Sequence, residues 1–125
     1  MAIEFPDHRS VVALLRACVS FKFDCSDASE LYVGSPQYAA AVRSVFDAVV
    51  ARYRAAGQCG AAEQWIATFD LANHPERAEF VREYALSHPK WNSMDFQQRK
   101  DWVEVVAAPY RVSHEDYEWF SVGGE

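Results

Sequence analysis

Three cysteines in 125 residues are too few, and odd in number, for a disulfide framework. Five glycines and five prolines exclude collagen-like and linker-like sequence and most turn-dense β architectures. Bases are scarce beside acids, twelve against eighteen, which leaves a net charge of −6. Phosphate binding needs a positive footprint, so nucleic acid is not the expected main partner. Apolar stretches such as Tyr38–Val42 are far too short to span a bilayer, and no membrane association is expected. The opening residues, Met1-Ala2-Ile3-Glu4-Phe5-Pro6-Asp7, lack the basic-then-apolar pattern of a secretory signal. A cytoplasmic setting is therefore expected, and unpaired cysteines agree with a reducing compartment.

Half of the residues are hydrophobic and 14% are aromatic, a composition that collapses around a core. The chain suits a single domain over residues 1–125, long enough to fold without a metal or disulfide. Arginine outnumbers lysine nine to three and alanine is frequent, a bias expected of a GC-rich bacterial genome. Charge is uneven. Residues 36–112 carry equal numbers of acids and bases, so the acidic excess sits toward the two ends. Glu115, Asp116, Glu118 and Glu125 follow one another with no base among them. Such a tail aids solubility, or docks on a basic partner.

Hydrophobic spacing predicts helices throughout. The first runs from Asp7, its cap, to Lys22, with Val11, Leu14, Leu15, Cys18 and Val19 on one face. Phe21-Lys22-Phe23 and Leu31-Tyr32-Val33 could pair as a minor two-stranded hairpin; an ordered loop is the alternative. The second helix is capped by Ser35, starts at Pro36 and ends at Gly57, with Tyr38, Val42, Val45, Phe46, Val49 and Tyr53 inward. Its other side, Ala40, Ser44, Ala48, Ala51 and Ala55, is expected to be exposed. A third helix is expected over Ala61–Ala72. Asn73 and Glu76 would then form a capping box for a fourth over Pro75–Ser87. A fifth should begin near Asn92 or Ser93 and stop before Pro109, burying Phe96, Trp102, Val103 and Val106, with Arg99 snorkelling from that stripe. Ser113 and Asp116 suggest a last short helix from His114 to Phe120. The expected fold is an all-α, single-domain bundle of five to six short helices.

Catalytic patterns are thin. No two of His8, His74, His88 and His114 stand at helical ligand spacing, and Cys18, Cys25 and Cys59 form no paired metal-binding motif, so no metal or cofactor is expected. Phe23-Asp24-Cys25-Ser26 resembles the Asp-Cys-Ser-Gly nucleophile segment of the NlpC/P60 peptidases, with Asp27 in place of the glycine. Gly57-Gln58-Cys59-Gly60 is similar to part of the papain signature, with Ala62 where the nucleophilic cysteine stands. Neither family's activity is carried over. No phosphate-binding glycine loop occurs.

The expectation that remains is surface recognition without catalysis. A small acidic protein lacking catalytic motifs fits an immunity protein or antitoxin that occludes the active site of a basic toxin, for example a nuclease. The expected contacts are the loop acids Asp24, Asp27 and Glu30 and the segment Glu115, Asp116, Tyr117, Glu118, Trp119 and Phe120, where acids surround aromatic anchors. Two alternatives belong to other classes: a small enzyme using Cys25 or Cys59 with a histidine, and a helical transcription regulator.

Overall fold

Ser35 and Pro36 start the longest helix as their chemistry requires. The Ser35 hydroxyl accepts from the Tyr38 backbone N–H, and Pro36 occupies a first-turn position that has no use for an N–H. The computed structural model describes residues 7–25 and 32–113. Within it, helix α1 spans His8–Asp24 and α2 spans Pro36–Ala55. Asp7 caps α1 by accepting from the backbone N–H and hydroxyl of Ser10, bonds that hold its carboxyl below the usual range. Gly57, at φ 75°, takes the left-handed position after α2. The Gly57 N–H then reaches the Arg54 carbonyl and the Gln58 N–H the Tyr53 carbonyl.

Helices α3 (Cys59–Thr68), α4 (Pro75–Leu86) and α5 (Phe96–Ala107) complete the bundle, with 3₁₀ turns at Leu71–Asn73 and Trp91–Ser93. The described residues are all-helical apart from one isolated parallel bridge, Asp70 to Arg111. Tyr38 reaches Cys18 and His8 reaches Tyr53, so α1 and α2 run antiparallel. Val11, Leu15 and Val19 of α1 and Val42, Phe46 and Val49 of α2 are buried in one core, with Val81, Val103 and Val106 of α4 and α5. Each such side chain contributes about 1.5–3 kcal/mol on burial.

Several expectations are corrected. Phe21-Lys22-Phe23 does not enter a hairpin; it forms the last turn of α1, because Lys22 continues the buried Val11, Leu15, Val19 spacing. Helix α3 begins and ends earlier than expected. Asp70 breaks it by accepting from the Ala72 N–H, and the Phe69 carbonyl turns outward to accept from Arg111. The Asn73–Glu76 capping box does not form: the Asn73 amide donates to the Ala67 carbonyl, and α4 starts on Pro75 without a side-chain cap. The capping box lies instead at Asp95 and Gln98, whose reciprocal bonds start α5 at Phe96, three or four residues later than expected. That start leaves Phe96 at 48% exposure rather than inward. Arg99 does not snorkel. It is buried, donates from Nε to the Trp91 carbonyl and lies 4.9 Å from the Trp91 ring. The expected helix at His114–Phe120 lies outside the described residues.

Gly34 sits where α2's entry turn meets α5. A Cβ there would lie 2.7 Å from Trp102 Cη2 and 3.4 Å from the Tyr84 hydroxyl. Trp102 cannot swing away freely, since its indole N–H bonds the Ala85 carbonyl at 3.2 Å. Gly34→Ala is therefore expected to destabilise the fold by about 2 kcal/mol through overpacking, read as a lower urea midpoint at unchanged slope.

Candidate protein-interaction surface

The α1–α2 hairpin has two dissimilar ends. At the α1 C-terminal end, Phe21 and Tyr32 pack ring to ring at 5.3 Å, and Tyr32 meets Tyr38 at 5.4 Å. The spacing of α1 explains the cluster. Leu14 and Phe21 are seven residues apart and so lie on one stripe, flanking the face that carries Leu15 and Val19 into the core. Phe21 is 42% exposed, Leu14 41% and Tyr32 38%, so three large apolar side chains of one surface remain in water. Tyr38 anchors the patch. Its hydroxyl donates to the Cys18 carbonyl at 2.7 Å, and burial, with Cys18 beside it, pushes the phenol up to about 12. It stays neutral at any physiological pH.

Asp24 ends α1 one turn beyond Phe21. It is the one predicted contact residue inside the described part of the chain. Its carboxylate faces Arg77 at 3.4 Å yet remains more than half exposed, so the pair adds little to stability and leaves the acid available. Asp27, Glu30, Glu115, Asp116, Tyr117, Glu118, Trp119 and Phe120 lie outside the described residues. All twelve Lys and Arg residues, but only eleven of the eighteen acids, fall inside. The helical body is thus nearly neutral, and the acidity of the protein is carried by the segments around it.

Phe21, Tyr32 and Tyr38 are not among the predicted contacts. Sequence did carry a signal for Phe21, at seven-residue spacing from Leu14, but the hairpin expectation obscured it. Lys22 escaped notice altogether. It is fully buried, and its ammonium donates to the Val105 and Ala108 carbonyls at 2.9 and 2.8 Å. Arg43 donates to the neighbouring Glu104 carbonyl. Lys22 thereby satisfies carbonyls left open at the negative end of α5, and Arg43 adds a second cation on the Glu104 carbonyl, which also accepts from the Ala108 N–H. Burial, then the Arg43 charge, pushes Lys22 down to about 7.

No known protein family, curated protein or solved structure matches the chain. The cysteines are placed apart: Cys18 and Cys25 half-buried at the middle and end of α1, Cys59 exposed at the start of α3. Among the described residues, no three His, Cys, Asp or Glu side chains gather as metal ligands, and no helix is long and apolar enough to cross a membrane.

Proposed function

We propose that this protein is a non-catalytic binding module whose partner is a basic protein, in its most concrete form an immunity protein or antitoxin that covers the active site of a basic toxin such as a nuclease. The observation that carries the reading is the exposed aromatic cluster of Phe21 and Tyr32, anchored by Tyr38 and bordered by Asp24. Aromatic side chains in water cost solvation and supply most of the energy when a partner covers them. Acids around them raise the encounter rate with a basic surface and exclude like-charged competitors. Asp27 and Glu30 follow Asp24 in the sequence between α1 and Tyr32, and add to the same sign of charge.

The test uses paired baits, wild type and a Phe21→Ala/Tyr32→Ala double variant, in affinity capture from the source organism. A basic protein retained by the first and lost by the second supports the reading, particularly if its own activity falls on binding. Titration of that partner should show the variant weaker by at least about thirtyfold, since anchor residues contribute about 2 kcal/mol or more. A partner held equally by both baits places the interface elsewhere and contradicts the assignment.

A further inference from the structure

The opposite end of the α1–α2 hairpin, about 20 Å away along α1 by helix rise, has the reverse character. Two adjoining hollows of about 390 and 470 Å³ share His8 and Tyr53. Arg9, Arg16 and Trp65 line the first and Arg52 the second. Among the described residues, no carboxylate lines either one. Asp7 lies near enough that the Arg9 and Arg52 charges act on it, but its carboxylate accepts from Ser10 and does not line either hollow, so the groove keeps an excess of positive charge. The walls between the cations are small and apolar, from Val12 and Ala13 to Ala55 and Ala56. His8 packs edge-on against Tyr53 at 4.3 Å, and its buried Nε2 has no hydrogen-bond partner among the described residues.

We propose that this cationic groove at the N-terminal end of α1 binds an acidic polypeptide segment of a partner protein. Charge complementarity sets the sign of the ligand. Guanidinium groups pair bidentately with carboxylates, two N–H donors to two oxygens. The aromatics decide between an acidic peptide and a single-stranded nucleic acid. Base binding needs a free π face. Trp65 stacks on Phe69 at 5.7 Å, carries the Arg16 guanidinium 6.0 Å from its ring centre and spends its N–H on the Tyr53 hydroxyl. Its ring is thus already partnered by Phe69 and by the Arg16 guanidinium, which lines the same hollow. A carboxylate finds guanidinium cations there, whereas a base finds no free platform. The surface is independent of the aromatic end, so the two proposals stand or fall separately.

The experiment titrates the full chain into a fluorescein-labelled peptide of Glu-Tyr-Glu repeats at low salt, followed by anisotropy. A Gln-Tyr-Gln peptide and a labelled oligothymidylate serve as comparisons. Expected is binding of the acidic peptide alone, weakened at least tenfold in an Arg9→Glu/Arg16→Glu variant. Both arginines are exposed, so the variant should melt as the wild type does, and an Arg9→Lys/Arg16→Lys variant should recover part of the affinity. Absence of binding, equal binding by the double Glu variant, or a preference for the oligothymidylate that the variant abolishes would each overturn the proposal.

Discussion

Lys22→Ala should cost about 4 kcal/mol at neutral pH, enough to remove a large share of the stability of a domain this size. The substitution opens a cavity where the four-carbon stem fills the core, and it strips the Val105 and Ala108 carbonyls of their donor. Lys22→Met separates the two contributions. It restores the stem and leaves only the carbonyls unsatisfied, so about half the loss should return. The ionisation of Lys22 supplies a second signature. In the unfolded chain the amine keeps its proton to about 10.5; in the folded chain it releases it near 7. Between those values the unfolded state binds more protons, so raising the pH favours the native state. Wild type should gain about 2 kcal/mol from pH 7 to pH 9 by this group, and Lys22→Met should lack that gain. Urea titrations of the two proteins at both values check it. The neutral amine has two N–H donors and faces two carbonyls, so it stays satisfied after losing its proton.

The second large effect belongs to Trp91. The indole is buried in the turn before α5, and the Arg99 guanidinium lies over its ring at 4.9 Å. Trp91→Ala removes one of the largest buried surfaces of the molecule and takes away the π face that shares in holding a buried cation. A loss of about 4 kcal/mol is expected from the cavity alone. Trp91→Phe keeps a face for Arg99 and should retain more than half of that stability. Equilibrium denaturation followed by circular dichroism distinguishes the three proteins. If the alanine variant loses less than about 1 kcal/mol, Trp91 is not packed as described.

How far the sequence was legible depends on whether a local rule had a rival. Helix α2 was readable at both ends because Ser35, Pro36 and Gly57 each have one strongly preferred role. The α3–α4 junction was not. Asn73 looked like a helix cap, but Asp70 intervened with its own turn and Asn73 turned back to close α3. Arg99 was misjudged, and Lys22 passed over, for one reason. A charge in an apolar stripe is normally explained by solvent at its tip, and here the partners are backbone carbonyls from residues that are distant in sequence or lie in a turn. Only the fold reveals such acceptors. The aromatic end of the α1–α2 pair did not stand out because Phe21-Lys22-Phe23 had a rival strand reading at the end of the expected first helix, whereas Asp24 was named a candidate contact for its charge alone.

The central claim is that the α1 C-terminal end is the surface that meets a basic protein. Backbone amide shifts of the labelled chain, titrated with the captured partner, test it directly. The account predicts the largest changes at Leu14, Phe21, Asp24, Tyr32 and Tyr38, with His8, Arg16 and Tyr53 unmoved. Changes centred on His8 and Arg16, with the Phe21 end unmoved, would contradict it.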